Sequence, residues 1–317
     1  MESTLSVIAP AYCEGACLGA FVTDLIAVLD QLRAETRLGY EIILVDDGST
    51  DDTWAAMRAL AQRYPRLRCL RLSRNFGKDA ALSAGLEAAR GDVVITMDSD
   101  MQHPATLIPQ MVARWRTGTV DVIDVRKQER QKESFFSRFC ALTFYRLFQA
   151  LTSYDLKGSG DFKLLDRKVV EAWKSLGERK PFYRALTSWM GFRHEQIFFT
   201  PLARHGGTSK WSLARRATLA VDSMTSFSGK PLLLIGCITL LFYALSIFVG
   251  CEALWNYATG QARSGFTTLI LLTLLTGSAI LTGLCILSAY IHHAFVELKG
   301  RPRFLLSETL ESDTTEF

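Results

Sequence analysis

The 317-residue sequence contains little proline and little cysteine, with 8 and 7 residues respectively. The cysteines form no C-x-x-C pair and no Cys/His pattern with the spacing of a zinc site. An odd, scattered set of cysteines is typical of reduced thiols in a cytosolic domain and argues against a disulfide framework. Walker A and Rossmann glycine motifs are also absent, which disfavours NTP hydrolysis and NAD chemistry.

Charged side chains are missing from two long stretches near the C-terminus. Residues 231–251 and 264–296 contain no Lys, Arg, Asp or Glu over 21 and 33 positions. Each stretch is long enough to cross a hydrocarbon core of about 30 Å as a helix. The sequence therefore predicts two transmembrane helices and excludes a wholly soluble protein.

The flanking charges predict how these helices cross the membrane. The N-terminus lacks the basic start and apolar stretch of a signal peptide, so no cleaved leader is expected. Lysines and arginines lie outside both apolar stretches, whereas the loop between them offers only Arg263. The positive-inside rule then predicts both termini in the cytoplasm and the loop outside.

Basic and acidic residues are separated along the chain. Residues 1–125 carry 12 basic and 17 acidic side chains, residues 126–184 carry 14 and 7, and residues 185–230 carry 6 and 2. A basic excess directly ahead of the membrane helices is typical of a surface that meets anionic head groups or phosphates. A solvated basic surface has the same composition, so charge alone leaves both interpretations open.

The first 125 residues alternate short β-rich runs with helical patterns. The pattern predicts strands at 5–9, 41–45, 67–72 and 92–97, and helices at 18–33, 53–63 and 79–90, with Gly91 as the C-terminal cap of the last helix. Continuous apolar strands separated by helices indicate a mostly parallel sheet covered on both faces. Ligands bind such sheets at the carboxyl ends of the strands.

Two further segments have amphipathic patterns. Residues 133–153 repeat aromatic and aliphatic side chains every three to four positions, with Arg138 and Arg146 between them. This pattern fits a core-facing helix and a membrane-interfacial helix equally well. Residues 210–229 form a second candidate that leads into the first apolar stretch. The last dozen residues are expected to be a frayed tail.

Carboxylates stand where two predicted strands end. Asp98 and Asp100 follow a strand directly, and at a strand end they can converge on one divalent cation shared with a diphosphate. Gln102 can add a neutral oxygen ligand. Asp46 and Asp47 follow the second strand, where they could form a turn with a helix cap or accept hydrogen bonds from a ribose or base.

Two other strand ends could contact a nucleotide. The first strand leads into Pro10-Ala-Tyr-Cys-Glu, which could form a stacking and hydrogen-bonding wall for a nucleobase. The third strand leads into Arg74-Asn-Phe-Gly-Lys, where Gly77 permits close backbone approach and Lys78 is available to a phosphate.

Taken in order, these motifs resemble those of family 2 glycosyltransferases. The matching segments are VIAPAYCEG, VDDGSTDDT, SRNFGKDAAL, MDSDMQHP, GSGDFKLLDR and RHGGTSKW. The sequence is most similar to the polyprenyl-phosphate glycosyltransferases, the group of bactoprenol glucosyltransferase and dolichyl-phosphate mannose synthases. The resemblance covers about residues 4–305. It implies an α/β GT-A fold with a Rossmann-like, mostly parallel sheet.

The resemblance also implies a reaction and its site residues. It predicts an inverting transfer of a hexose, most simply glucose from a UDP-sugar, to undecaprenyl or another polyprenyl phosphate, with Mg²⁺ or Mn²⁺. The nucleotide-sugar would contact Pro10, Ala11, Tyr12, Glu14, Asp46, Asp47, Lys78, Asp98, Ser99 and Asp100. The metal would bind Asp98, Asp100 and Gln102. The acceptor phosphate would meet Arg126, Arg138, Arg204, Ser209 and Lys210, and the groups implied in catalysis are Asp100, Asp161, Arg126, Arg204 and Lys210.

The sequence departs mildly from the family pattern. Cys13 replaces the usual asparagine of the first motif, Gly15 replaces an acidic residue, and Ser99 stands between the two aspartates. Ala105 replaces the second proline after Gln102. These departures leave the expected metal ligands intact and affect only the finer donor contacts.

The implied organisation is that of a multi-pass protein of the bacterial inner membrane. The expected parts are a cytosolic catalytic domain at 1–209, a juxtamembrane helix at 210–230, transmembrane helices at 231–254 and 266–291, an external loop at 255–265, and a cytosolic C-terminal tail at 292–317. The resemblance implies a homo-oligomer, with a tetramer favoured, and functional coupling to a flippase. No nucleic-acid partner is expected.

Two other functions fit parts of the sequence. A processive polysaccharide synthase would carry Q-x-x-R-W, but the segment from Gln110 to Trp115 has one residue too many and only two membrane helices follow. A non-catalytic partner of a lipid-sugar flippase would not need the strand-end carboxylates.

Overall fold

The computed structural model of the chain describes residues 3–127, 160–179, 181–199, 230–260 and 265–311. The chain divides into two compact units. The first comprises residues 1–145, 154–210 and 300–317, and the second comprises residues 146–153 and 211–299. The interfacial helix predicted at 133–153 and the juxtamembrane helix predicted at 210–230 lie outside the described residues, apart from Lys230.

The first unit contains a mixed sheet and its covering helices. Its strands are β1 (Thr4–Ala11), β2 (Gly39–Asp46), β3 (Leu67–Leu72), β4 (Val93–Thr96), β5 (Val122–Lys127), β6 (Lys163–Asp166), β7 (His194–Phe199) and β8 (Leu306–Leu310). Its helices are α1 (Gly15–Thr36), α2 (Thr53–Arg63), α3 (Lys78–Ala88), α4 (Ile108–Arg116), α5 (Arg167–Ser175) and α6 (Tyr183–Trp189), with a 3₁₀ turn at Ala105–Leu107.

Among the described residues the strands form one sheet in the order β7-β5-β6-β4-β1-β2-β3-β8. β1 is parallel to β2 and β4, β2 is parallel to β3, and β5 is parallel to β7. β6 is antiparallel to both β4 and β5, and β8 is antiparallel to β3. The carboxyl ends of β1 to β5 therefore share one edge, and β6 begins at that same edge. The predicted mostly parallel α/β sheet is confirmed.

The core forms because apolar side chains cover both faces of the central strands. Every residue of β4 is buried, and β1 and β2 are buried from their second residue onward. Helix α1 packs with Leu18, Val22, Leu25 and Leu29, whose spacing of three to four residues marks one helix face. All four predicted strands and all three predicted helices of the first 125 residues are present, with ends that differ by at most three residues.

The predicted role of Gly91 as a helix cap is wrong. Helix α3 ends at Ala88, and Ala89 follows it in an extended conformation. Gly91 lies instead against β1, where an added Cβ would come within 2.7 Å of the Ser6 backbone nitrogen. The glycine is needed for this close approach of two backbone segments.

The expected frayed tail is also wrong over part of its length. Residues Leu306–Leu310 form β8, which pairs with β3 through Leu306↔Leu72, Glu308↔Arg71, Thr309↔Leu70 and Leu310↔Cys69. β8 thus covers the β3 edge of the sheet, and the first unit includes the segment that follows the last apolar helix.

The second unit contains two long apolar helices, α7 (Lys230–Ala258) and α8 (Phe266–Leu298). Three helices of the described chain are long and apolar enough to cross a membrane: α1 and parts of α7 and α8. Because α1 buries its apolar face on the sheet, it belongs to the core of the first unit. In α7 and α8, by contrast, large side chains such as Leu240, Phe248, Leu281 and Ile291 are exposed. These two helices support membrane association.

Candidate active site

A cavity opens at the edge of the sheet where β1, β2 and β4 end. It is lined by nine residues, all of which the sequence analysis assigned to the nucleotide-sugar: Pro10, Ala11, Tyr12, Glu14, Asp47, Lys78, Asp98, Ser99 and Asp100. They come from four segments of the chain that the parallel topology brings to one edge.

The wall after β1 depends on a left-handed turn at Cys13. This residue has a φ of 55°, a conformation that residues other than glycine, asparagine and aspartate adopt at a cost. The Cys13 backbone N–H donates to Ser49 Oγ at 2.9 Å, and the Glu14 N–H donates to Thr53 Oγ1 at 3.0 Å. The loop between β2 and α2 therefore holds Tyr12 and Glu14 at the cavity.

Glu14 connects this wall to the carboxylate turn after β4. Ser99 Oγ donates to the Glu14 carboxylate through a short hydrogen bond and contacts the Pro10 carbonyl oxygen at 2.9 Å. The pKa of Glu14 is raised to about 7, chiefly by burial and to a lesser extent by the charges of Asp100 and Asp98, while the Ser99 hydrogen bond lowers it. The raised pKa therefore reflects the burial of Glu14 first and the neighbouring carboxylates second.

Asp47 fixes the start of helix α3. Its carboxylate accepts hydrogen bonds from the Phe76 N–H at 2.8 Å and from the Gly77 N–H at 3.0 Å. Burial raises the pKa of Asp47 to about 6, and these two hydrogen bonds only partly offset the burial. Because Gly77 is the residue before α3, Asp47 determines where Lys78, the first residue of the helix, enters the cavity.

Lys78 joins two carboxylates that lie far apart in the sequence. Its Nζ lies 2.5 Å from Asp98 Oδ1 and 2.5 Å from Asp161 Oδ2. Burial opposes the charge on Lys78, but the two carboxylates outweigh it and raise the pKa of the ammonium above its ordinary value. Burial likewise opposes ionisation of Asp98, yet the ammonium of Lys78 holds the pKa of that carboxyl below its ordinary value.

Asp161 is held by a second cation, Arg184, which the sequence analysis missed. Arg184 Nε and Nη2 donate to the two oxygens of the Asp161 carboxylate at 2.6 and 2.8 Å, in a bidentate pair. Burial favours the neutral acid, but Lys78 and Arg184 outweigh it and hold the pKa of Asp161 well below its usual range. Asp161 is therefore an anion at neutral pH and a poor proton acceptor.

His103 is the other residue that sequence reasoning missed. Its Nδ1 accepts a hydrogen bond from the Asp98 backbone N–H at 3.0 Å, and its ring stacks on Phe162 with centroids 5.1 Å apart. His103 thus connects the turn at Asp98 to the strand start next to Asp161. It lies inside the motif MDSDMQHP, so its position five residues after Asp98 was the available signal.

The remaining predicted residues do not line the described cavity. Asp46 is fully buried beside Arg71, the backbone N–H of Gln102 donates to Asp100 Oδ1 at 3.0 Å, and Arg126 is only 8% exposed near the carboxyl end of β5. Asp161 reaches the cavity only through Lys78. The predicted residues Arg138, Arg204, Ser209 and Lys210 lie outside the described residues.

The lining is strongly acidic, with four carboxylates against the single ammonium of Lys78. Within the described ranges, no three His, Cys, Asp or Glu side chains gather into a metal-binding group. Asp98 and Asp100 could therefore hold a hard divalent cation only with oxygen ligands from water or from a bound phosphate, which is how Mg²⁺ is commonly held. The donor set fits such a shared site.

Comparison with known sequences identifies the family. The profile described as Glycosyl transferase family 2 matches residues 6–173, which is more than half of the chain. The chain belongs to glycosyl transferase family 2. It is an enzyme of the glycosyltransferase class, and the matched region runs from within β1 through β6 and includes every residue that lines the cavity.

Relatives of this family 2 glycosyltransferase match almost its whole length. It is 32% identical over 312 residues to the glycosyltransferase YkcC of Bacillus subtilis (strain 168), covering 96% of this chain and 93% of the relative. It is 32% identical over 271 residues to the SfII prophage-derived bactoprenol glucosyl transferase of Shigella flexneri, covering 85% of this chain and 87% of the relative.

Solved structures confirm the fold. The glucosyl-3-phosphoglycerate synthase of Mycobacterium tuberculosis, in a complex with Mn²⁺, UDP and glucosyl-3-phosphoglycerate, superposes with a TM-score of 0.54 at 20% identity. The match covers 72% of this chain and 80% of that one. The family 2 glycosyltransferase therefore has a GT-A fold.

Proposed function

We propose that this enzyme transfers a single hexose, most simply glucose from UDP-glucose, to a polyprenyl phosphate at the cytoplasmic face of a membrane. One observation carries the proposal: the same chain has a cavity lined by the residues expected to contact a nucleotide-sugar and two apolar helices with exposed side chains. The 32% identity to a bactoprenol glucosyl transferase over 85% of the chain supports the lipid acceptor and the glucose.

The residues suit a direct displacement. An oxygen of the lipid phosphate attacks the anomeric carbon of the sugar, the bond from that carbon to the diphosphate breaks, and the nucleoside diphosphate leaves with the electron pair. A single displacement inverts the anomeric centre. Because a phosphate monoester is already largely ionised near neutral pH, no strong general base is required.

Asp161 has a positioning role in this mechanism. Its carboxylate is ionised and shared between Lys78 and Arg184, so it does not take a proton from the acceptor. It holds Lys78 beside Asp98, where the ammonium can meet the donor diphosphate. Asp100 and Arg126 remain candidates for direct roles, with Arg126 toward the phosphates.

A divalent cation, Mg²⁺ or Mn²⁺, reconciles the acidic lining with an anionic donor. Four carboxylates would repel a diphosphate unless a cation lay between them. Asp98 and Asp100 would hold the ion, with Gln102 near them. When bound, the ion would stabilise the charge that develops on the leaving diphosphate.

The acceptor imposes a condition on the rest of the chain. Its hydrocarbon must stay in the bilayer, because exposing it to water costs about 0.8 kcal/mol per CH₂ group. We propose that basic side chains ahead of the first apolar helix guide its phosphate to the cavity, namely Arg126, Arg138, Arg204 and Lys210, together with the hydroxyl of Ser209. The interfacial helix at 133–153 would belong to this path.

The proposal includes the topology and the partners of the enzyme. Transmembrane helices at 231–254 and 266–291 would place residues 255–265 outside and both termini in the cytoplasm of a bacterial cell. A homo-oligomer, most simply a tetramer, and coupling to a flippase that turns the glycolipid over would complete the pathway at this membrane.

The decisive experiment is a transfer assay with purified protein, undecaprenyl phosphate and a panel of radiolabelled nucleotide sugars. We expect one labelled glycolipid carrying one sugar, and we expect Asp98→Asn and Asp100→Asn to abolish it. The matched control is Asp24→Asn, which removes an exposed carboxylate from α1. EDTA should stop transfer and Mg²⁺ or Mn²⁺ should restore it. A polymeric product, or full activity in the two active-site variants, would contradict the proposal.

A further inference from the structure

The C-terminal strand brings a carboxylate to a cluster of donors on two other elements. Glu308, in the middle of β8, accepts hydrogen bonds from Trp54 Nε1 at 3.1 Å, Arg58 Nη2 at 2.7 Å and Arg71 Nη1 at 3.1 Å. The Trp54 hydrogen bond, followed by those of the arginines, holds the pKa of Glu308 below its ordinary value. Glu308 is therefore an anion that ties β8 to α2 and β3.

Arg71 is shared between Glu308 and a buried carboxylate of the donor region. Its Nε lies 3.3 Å from Asp46 Oδ2, and its guanidinium stands over the Trp54 ring with 5.5 Å to the centroid. The Asp46 side chain is fully buried. A buried carboxylate needs a compensating cation, so the position of Asp46 depends on the position of Arg71.

The contacts continue from Asp46 to the wall of the cavity. Asp46 Oδ1 accepts a hydrogen bond from the Ser49 N–H at 2.8 Å, and Ser49 Oγ accepts one from the Cys13 N–H at 2.9 Å. Cys13 is the left-handed residue between Tyr12 and Glu14, both of which line the cavity. A continuous series of direct contacts therefore joins β8 to the residues that face the donor.

We propose that Glu308 and Arg71 are positioning residues for the donor nucleotide. Together they hold Asp46, and through Ser49 they hold the turn at Cys13 in the shape that places Tyr12 and Glu14. The strand that follows the second apolar helix is then part of the donor-binding apparatus, although it does not touch the donor. This inference rests on the proposed function, in that the cavity takes a nucleoside diphosphate sugar.

Glu308→Gln keeps the size of the side chain and removes its charge. We expect the Kd for UDP and the KM for UDP-glucose to rise roughly three- to thirtyfold, the range of couplings that act without direct ligand contact. Turnover at saturating donor should stay within about twofold, because the groups around Lys78 and Asp161 are unchanged.

Glu311→Gln is the matched control. Glu311 follows β8 on the same segment and lies 3.5 Å from both Arg68 and Arg90. Arg68 pairs with the buried Glu41 rather than with any cavity residue. This variant should weaken the attachment of the C-terminal segment to a similar extent while leaving donor affinity unchanged.

The measurements use the full-length protein purified in detergent, with UDP titrated by calorimetry and UDP-glucose varied in the transfer assay. A double-mutant cycle adds Arg71→Met, and the double variant should bind UDP no more weakly than Arg71→Met alone. Because Kd is a property of the folded fraction, partial unfolding does not mimic the effect.

Equal donor affinities in the Glu308→Gln and Glu311→Gln variants would overturn the inference, and so would a loss of turnover with an unchanged Kd. Additive effects in the double variant would overturn the path through Arg71. If the wild-type protein itself binds neither UDP nor UDP-glucose, the proposed donor is wrong and this inference falls with it.

Discussion

Gly48→Ala tests how the donor site is built from two loops. Gly48 has a φ of +66°, and an added Cβ would lie 2.3 Å from the Arg74 carbonyl carbon and 2.6 Å from the Asn75 nitrogen. Since carbon atoms rest about 3.5–4.0 Å apart, the loop at Arg74 would have to retreat by more than about 1 Å. That movement would break hydrogen bonds to Asp47, because the Phe76 and Gly77 N–H groups lie directly after this loop.

The cost can be worked out from these contacts. A left-handed conformation costs an alanine about 1–2 kcal/mol. Each lost hydrogen bond to a carboxylate costs about 1.5–3 kcal/mol, and at least one of the two to Asp47 would be lost. The sum is about 3–5 kcal/mol, which corresponds to a fall in melting temperature of roughly 10 °C in a domain of this size. Donor affinity should fall as well, since Asp47 sets the entry of Lys78.

Gly118→Ala is the control for the cost of the left-handed backbone conformation alone. Gly118 has a φ of +70°, but no atom lies within 4 Å of the position of its Cβ. We expect a loss of only about 1–2 kcal/mol and an unchanged Kd for UDP. The assay is thermal unfolding of the purified protein with and without UDP. If the two substitutions lowered the unfolding free energy equally, the reasoning would be refuted, because the clash between the two loops at Gly48 would then have no measurable cost.

Three further predictions follow from single residues. Cys13→Asn should raise the unfolding free energy by a few tenths to about 1 kcal/mol and keep activity, because asparagine tolerates the left-handed φ of 55°; a lower melting temperature would contradict this. Hydrogen bonds from Arg193, and then from Lys168, lower the pKa of Asp121 although burial opposes this. The stability that Asp121→Asn removes should therefore be present above about pH 4 and be lost as the pH falls through the lower pKa of the folded state. If denaturant titrations gave the same difference in unfolding free energy between wild type and variant at pH 7 and pH 2, this account would be wrong. His103→Phe keeps the ring against Phe162 but loses the acceptor for the Asp98 N–H, so turnover should fall by about tenfold or more with little change in Kd for UDP, while unchanged turnover would remove His103 from the site.

The predictable part of the fold follows from continuous apolar strands. The apolar runs of β1, β2 and β4 are separated along the chain by helices with a clear buried face, so the strands and helices could be predicted from the periodicity. The parallel arrangement then places the polar residues that follow these strands at one edge. The pattern therefore pointed to the segments that follow these strands, and the resemblance to family 2 glycosyltransferases supplied the individual residues that line the cavity.

The point at which β2 ends decides which of two neighbouring carboxylates reaches the cavity, and sequence spacing alone leaves this open. Asp46 and Asp47 are adjacent, but Asp46 is the last residue of β2 and is buried beside Arg71 of β3, whereas Asp47 lies beyond the strand and reaches the cavity. Sequence spacing treats the two carboxylates alike. Arg184 was missed for a related reason: helix α6 brings it to Asp161 through tertiary packing, and no local motif marks it.

β8 could not be predicted from its own residues. Leu-Ser-Glu-Thr-Leu is short, largely polar and close to the C-terminus, so composition favours a tail. Its pairing with β3 joins residues 237 positions apart and depends on the cluster around Glu308. Interactions of such long range leave no periodic pattern in the sequence.

The position of this strand in the chain also determines when the sheet can be completed during synthesis. β3 emerges early from the ribosome, but its pairing partner emerges only after both apolar helices have been synthesised. Until then the edge of β3 presents unpaired N–H and C=O groups, which is the kind of edge on which chains aggregate. Closing so long a loop is entropically expensive for a free chain. The sheet is therefore completed only after both apolar helices have been synthesised.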